Sequence, residues 1–261
     1  SIPVPLNELS YPLVLKPGMS WAERNGEWLH TSVRFAGNEA EASSILVSDP
    51  AFSAVPFMLQ ENVPGTGRGI FALYDRGKPL AFFAHRRIRE KPPSGGVSVL
   101  SESIEPDRTL LDYSRKLLDA ADWHGIAMVE FRVSDEGTPW LMEVNTRFWG
   151  SLQLAVDAGV NFPLMLYQIE HNESVQTADH YRKGKRLRWL LGDFDNLYLT
   201  LRDSNVPAGN KVRAVTRFLW PSPFRTRHET FRWTDPGPAW WEFRDYLKNL
   251  ASSPSGSGKT T

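Results

Sequence analysis

The stretch Leu141-Met142-Glu143-Val144-Asn145-Thr146-Arg147-Phe148-Trp149-Gly150-Ser151 sets a carboxylate, an amide and a guanidinium at every second position, and an apolar helical segment follows it. Side chains alternate faces along a strand, so Glu143, Asn145 and Arg147 share one side while Met142, Val144 and Thr146 take the other. The pattern reads as a strand handing over to a helix. Two oxygen donors beside a fixed cation suit a divalent metal and a phosphate bound together.

The strand has a partner upstream. Residues 125–133 form an apolar run, Ser134-Asp135-Glu136-Gly137-Thr138 reads as a turn, and residues 139–146 return. If Ser134 pairs with Thr138 or Pro139, antiparallel register places Glu130 opposite or nearly opposite Glu143. On its own strand Glu130 alternates against Val129 and Phe131, so it leaves the apolar face that they occupy. Directly opposed residues have Cβ atoms about 4.5–5.5 Å apart, and like charges placed so destabilise a sheet. A cation between them removes the penalty. Mg²⁺ takes oxygen ligands and commonly shares them with substrate phosphates. Glu130, Glu143 and Asn145 supply such oxygens, and Arg147 can balance phosphate charge bidentately. The plain alternative is a half-buried strand pair with a solvated outer face, since alternating polar residues are ordinary in antiparallel sheets.

Working outward, strand-like runs occupy residues 11–16, 28–35, 57–61, 69–74, 80–87 and 97–101. Helical patterns cover Asn38 to Ser48, Asp107 to Ala121, Ser151 to Asp157 and a segment from Phe162. Beyond residue 180, Leu187, Leu190, Leu191, Phe194, Leu197, Tyr198 and Leu201 recur at helical spacing, with further helices near 211–219 and 239–250. The predicted fold class is α+β, a mixed antiparallel core with a C-terminal helical extension. The late aromatics Trp220, Phe224, Phe231, Trp233, Trp240 and Trp241 are expected to pack that extension onto the core.

Three more features carry weaker signals. Lys16 ends an apolar strand just before Pro17, which also fits an exposed strand end. Met58-Leu59-Gln60-Glu61-Asn62-Val63 is a strand entering a Gly-rich turn, where backbone groups around Glu61 and Val63 could pair with an adenine edge. His85-Arg86-Arg87-Ile88-Arg89, followed by Ser94-Gly95-Gly96, sets cations beside flexible backbone and suits an anionic ligand. An exposed basic strand is an equal reading of it.

Composition narrows the classes. At 261 residues the chain forms one large domain or two small ones, and 41% hydrophobic content is ample for a packed core. The absence of Cys excludes disulfides and thiolate metal sites. No apolar run approaches the ~18 residues that span a bilayer, and a cytoplasmic placement is expected. The formal charge is zero, yet residues 180–233 hold 12 Lys and Arg against 4 Asp and Glu. That excess suits a basic surface or a solvated face. The chain opens on Ser1 and reaches an apparent core strand within a dozen residues, so it reads as a piece whose N-terminal portion is missing. Its last residues, 251–261, read as a flexible tail. They mimic a phosphate-binding loop, but Ser253 stands where that motif needs its first Gly.

In this order and spacing the segments resemble the ATP-grasp superfamily of ATP-dependent carboxylate–amine ligases. The likeness covers roughly residues 10 to 165 and is carried by Tyr11–Lys16, Leu59–Gly65, Gly125–Phe131 and Leu141–Ser151, followed by Leu154-Ala155 and Ala158-Gly159-Val160-Asn161-Phe162-Pro163. Among its versions, predicted ligases with a helical C-terminal extension are the nearest in character. The resemblance implies a small lobe (1–57), a large lobe with the Mg-ATP site (58–170) and the helical extension (171–250), with ATP between the lobes. It implies that Lys16 contacts the phosphates and that Gln60, Glu61, Val63 and Met142 hold the nucleotide. It assigns one or two Mg²⁺ ions, or Mn²⁺, to Glu130, Glu143 and Asn145. Arg147 would stabilise the transferring phosphoryl group, with Arg86 and Arg87 near the acyl-phosphate end.

The implied reaction phosphorylates a substrate carboxylate, and an amine or thiol then attacks the acyl phosphate. Two departures stand out. Gly67 or Arg68 falls where family members often carry an acidic residue for the ribose, and the small-lobe loop Gly18-Met19-Ser20-Trp21-Ala22-Glu23 has a single Gly. The expected partners are ATP and small carboxylate and amine substrates, with room for a homodimer and no nucleic-acid recognition motif. The alternative function is a noncatalytic nucleotide-binding fragment or scaffold module, and the fragment alone is a candidate for inactivity.

Overall fold

The computed structural model describes residues 5–24, 26–93, 96–177, 180–220, 222 and 225–252. By its internal contacts the chain divides into two units, residues 1–66 with 134–138, and residues 67–133 with 139–261.

The first unit runs β1 (Leu13–Pro17), a hairpin of β2 (Trp21–Arg24) and β3 (Glu27–His30), β4 (Arg34–Ala36), α1 (Glu39–Ser48), α2 (Ala51–Ala54) and β5 (Phe57–Glu61). Strand β1 lies between β4 and β5, antiparallel to both. Alternation buries Leu13 and Leu15 against Ala42 and Phe52. The Asn38 side chain caps α1 by accepting from the Glu41 N–H, and the Glu41 carboxylate returns to the Gly37 N–H at 2.7 Å. That is a capping box shifted by one residue, and it fixes where the helix starts. The run read as one strand over 28–35 is two strands, because the Thr31 N–H turns away to the Ser20 carbonyl.

The second unit contains β6 (Thr66–Asp75), β7 (Lys78–Lys91), β8 (Val97–Ile104), α3 (Arg108–Ala120), β9 (Gly125–Val133), β10 (Pro139–Asn145), α4 (Leu152–Ala158), α5 (Phe162–Glu170), β11 (Arg186–Arg188), α6 (Leu190–Arg202), α7 (Ala208–Leu219), β12 (Thr226–His228) and α8 (Gly237–Ser252). Its seven-stranded sheet has the order β10-β9-β6-β7-β8-β11-β12. Hairpins β9–β10, β6–β7 and β7–β8 are antiparallel, as is β8–β11, while β11–β12 is parallel.

Period-two alternation gives the sheet two apolar faces. Phe71, Leu73, Ala81, Phe83, Ile126 and Met128 pack against Leu154, Ala155, Ala158, Phe162, Met165 and Ile169 of α4 and α5. Ile70, Ala72, Tyr74, Val129 and Phe131 pack on the other side against Leu110 and Leu118 of α3. Each fully buried side chain of this size contributes about 1.5–3 kcal/mol relative to exposure. Asp107 caps α3 by accepting from the Thr109 and Leu110 N–H groups, and Leu110, Ser114 and Leu118 recur every fourth residue on its buried stripe. Gly159, at φ +113°, closes α4 in the left-handed region, where its N–H reaches the Ala155 carbonyl.

The C-terminal segment carries the three helices α6, α7 and α8, over about half of its length, and it also hands β11 and β12 to the sheet. Leu187, which the sequence places in a helix, sits in β11 opposite Ser101 and is buried. Its neighbours explain the change: Arg186 reaches Glu102 at 2.8 Å and Arg188 reaches Asp193 at 2.6 Å, one acid from β8 and one from α6. The basic excess is therefore partly spent internally. Arg227 and Arg232 meet Asp157 at 3.1 and 2.9 Å, and Lys183 pairs with Glu105. Of the late aromatics Phe231 is half-buried beside His228, but the tryptophans do not pack as expected. Trp220, Trp233, Trp240 and Trp241 are exposed, and Phe224 lies outside the described residues, as do residues 253–261 of the tail. Instead α8 is tied by polar bonds from Trp189 to Glu242 and from Tyr246 to Asp195. No helix among the described residues is long and apolar enough to cross a membrane.

Candidate functional site

The β9–β10 ladder begins with Pro139 opposite Val133 and Leu141 opposite Phe131, then shifts, so that Glu143 faces Glu130 and Asn145 faces Met128. Met142 is the extra residue of a β-bulge. Without it the first register would set Met142, not Glu143, across from Glu130. The bulge also places Leu141 and Val144 on the α3 side, although three residues apart: Leu141 lines a surface recess with Phe131 and Leu117, and Val144 packs on the α3 core. Glu143 and Asn145 are left on the opposite face with Glu130.

There the three side chains meet. Asn145 Nδ2 donates to Glu130 Oε1 at 2.9 Å and to Glu143 Oε1 at 2.8 Å. The amide hydrogens thus stand between two carboxylates that would otherwise repel. Arg87, from β7, adds a guanidinium 3.6 Å from Glu130 Oε2 and donates to Glu90 at 3.1 Å. Phe83, His85 and Arg87 share one face of β7 by alternation. Arg86 lies on the other face, held by Glu102 of β8, so the structure separates the two arginines that the sequence grouped.

The loop after β10 is fixed by two anchors. Trp149 is buried with its ring 4.2 Å from Phe71 and 5.2 Å from Phe162. The Ser151 hydroxyl is hydrogen-bonded to His85 Nε2 at 2.9 Å, and His85 stacks on Phe71. Burial, and then the Arg87 charge, lower the His85 pKa to about 3, so the imidazole stays neutral. Between the end of β10 and these anchors, Arg147 is exposed and donates to the Phe148 carbonyl at 3.2 Å. Arg87, Arg147, His85, Met128, Trp149 and Ser151 line a pocket of about 600 Å³. Gly96 lines it too, while Ser94 and Gly95 lie outside the described residues.

Of the remaining expected residues, all but Met142 lie in the first unit. Lys16 is opposite Met58, Gln60 opposite Val14 and Glu61 opposite Leu13, all on the β1–β5 ladder. Val63 follows β5 in the loop. Met142, at the bulge, belongs to the second unit.

Two carboxylates and one amide suit a hard divalent cation, provided Asn145 turns its amide over to present Oδ1. Among the described residues no group of three or more His, Cys, Asp or Glu is placed for a metal. A cation at this cluster therefore depends on the amide oxygen and on ligand-borne oxygens such as phosphate. His85, Ser151 and Trp149 were not singled out from the sequence as site residues. The His85–Ser151 bond spans 66 positions, and Trp149 meets Phe71 from at least as far along the chain, so neither leaves a local pattern.

A family model described as ATP-grasp in the biosynthetic pathway with Ter operon matches residues 53–192, more than half of the chain. Among solved structures, phosphoribosylamine–glycine ligase from Thermotoga maritima is similar with a TM-score of 0.51 and 15% identity over 69% of this chain and 49% of its own. The biotin carboxylase–beta-gamma-ATP complex from Campylobacter jejuni is similar with a TM-score of 0.50 and 15% identity, over 69% of this chain and 41% of its own. At these identities the likeness is one of fold, and the chain spans less than half the length of either protein. No curated protein matches the chain significantly.

Proposed function

Since the chain belongs to the ATP-grasp family of the biosynthetic pathway with Ter operon, we propose that it binds Mg-ATP and serves as the nucleotide-binding part of a ligase that activates a carboxylate for attack by an amine. The observation that carries this reading is the bulge that sets Glu130 against Glu143 with the Asn145 amide between them. Two opposed carboxylates cost a sheet stability; here they are held in place beside Arg87, where a cation would be welcome.

In this reading Glu130, Glu143 and Asn145 hold one or two Mg²⁺ ions, which supply charge neutralisation for the phosphates when bound. Arg147 and Arg87, which line the adjoining pocket, hold the negative charge of the transferring phosphoryl group and of the acyl phosphate. Arg86, engaged by Glu102 on the other face, has no part in it. Lys16 contacts the ATP phosphates, and Gln60, Glu61, Val63 and Met142 hold the rest of the nucleotide. The protein's own task is positioning and charge stabilisation, with neutral His85 and buried Trp149 keeping the Arg147 loop in place.

Isothermal titration of ATP with and without Mg²⁺ tests the reading. Binding is expected to require Mg²⁺ and to weaken at least tenfold in Glu143→Ala. Equal affinity with and without the metal, or in the variant, would overturn it.

A further inference from the structure

The pocket bounded by Arg87 and Arg147 is also lined by Trp189, Glu229, Thr230 and Glu242, all from the C-terminal segment. Glu229 follows β12, and its backbone N–H is fixed on the Arg188 carbonyl at 2.9 Å. Glu242 comes from α8 and accepts from the Trp189 indole N–H. Among the described residues neither glutamate forms an ion pair with either arginine. One pocket is thus lined by two guanidinium groups and two carboxyl groups that form no ion pair with each other.

A second observation marks the same place. Among the described residues two buried side-chain polar atoms without a hydrogen-bond partner, Ser98 Oγ and Trp149 Nε1, belong to residues lining this pocket. Trp149 is 5% exposed. Buried polar groups are nearly always paired in native proteins, and the Trp149 indole N–H, a donor only, calls for an acceptor such as the carboxylate of a bound amino acid.

We propose that this pocket binds a primary amine as its ammonium ion, held by the Glu229 and Glu242 carboxylates, with the amine's anionic or reacting end toward Arg87 and Arg147. That this amine is the nucleophile of the reaction rests on the ligase reading above; that the pocket takes an ammonium does not. Burial first and the Glu242 charge second raise the Glu229 pKa to about 7 against the pull of Arg232. An ammonium between the two carboxylates would oppose this shift by its charge, favouring the ionised form of both. Trp189, Thr230 and Ser98 give the site one aromatic wall and two hydroxyls, which suits a small amino acid or amino alcohol better than a long polyamine.

The test uses the full chain and calorimetric titration with the L-amino acids, ethanolamine and 1,4-diaminobutane, each beside its derivative acetylated at every primary amine. At least one free amine is expected to bind, at least tenfold more tightly than its acetylated form, and Glu229→Gln and Glu242→Gln are each expected to weaken it at least tenfold. The acetylation comparison stands on the wild-type chain, so it decides the matter even if a variant misfolds. No binding by any free amine, or equal binding of free and acetylated forms, would overturn the proposal. A parallel Mg-ATP titration separates the two claims. Amine binding without nucleotide binding supports the pocket and sinks the ligase reading, and nucleotide binding without amine binding does the reverse.

Discussion

Asn145 has two faces to offer, and its present one is the donor. Its Nδ2 group bridges Glu130 and Glu143, a role that an aspartate could not fill. Asn145→Asp is therefore expected to lower the melting temperature without Mg²⁺, because three carboxylates then converge, and to gain more from added Mg²⁺ than the wild type does. Thermal denaturation with and without the metal reads this, and an identical response of the two chains would contradict it. Glu229 gives the pH counterpart. With its folded pKa raised to about 7 from an ordinary 4.5, the folded chain keeps a proton that the unfolded chain releases. The stability so gained is full below about pH 4.5 and is lost as pH rises through 7. Glu229→Gln should match the wild type at pH 4.5 and melt higher at pH 8, as scanning calorimetry over that range would record. The meeting of Glu130, Glu143 and Asn145 was legible in the sequence because strand alternation and one short turn bring them together, whereas Arg147 lies past the end of β10 and donates to the Phe148 carbonyl. Glu229 and Glu242 were not legible, since only tertiary packing takes them to the pocket.

At the scale of elements, the β9–β10 hairpin shows how far a register argument reaches. The turn permits two pairings, and the structure uses both in succession, one before Met142 and one after it. Alternation alone cannot announce the extra residue, because a bulge leaves the sequence pattern of the flanking strand looking regular. Helix α3 was readable at both ends for the opposite reason: its cap and its stripe are local. Asp107→Ala, which removes the acceptor for two helix N–H groups, is expected to cost about 1 kcal/mol. Urea unfolding would measure it, and an unchanged midpoint would show that solvent already satisfies those groups. Leu187 was misplaced because its helical spacing with Leu190 and Leu191 is real, while the pull of the β8 edge and of Glu102 acts from more than 80 residues away.

Within the second unit, the C-terminal segment is bound by buried charge. Asp193, 0% exposed, takes both Arg89 of β7 and Arg188 of β11. Arg188 also donates to the Phe218 carbonyl at the end of α7. Removing the shared anion leaves two guanidinium groups in a poorly solvated place, so Asp193→Ala is expected to cost about 3–5 kcal/mol in urea unfolding. A loss below about 1 kcal/mol would mean that water replaces the carboxylate. The α+β core and its antiparallel sheet were visible from periodicity, whereas the two strands from the C-terminal segment and the internal use of its basic charge depend on pairs far apart in the chain.

The central claim is that Glu130, Glu143 and Asn145 hold the cation of Mg-ATP. A crystal structure of the chain with Mn²⁺ and a nonhydrolysable ATP analogue tests it most directly, through the anomalous signal of the metal. The expected result is a metal peak bonded to both carboxylates at about 2.1 Å, as is typical of small divalent ions, with the Asn145 amide turned from donor to ligand and phosphate oxygens completing the shell. Nucleotide bound with its metal elsewhere, and the Asn145 amide still bridging the two glutamates, would contradict it.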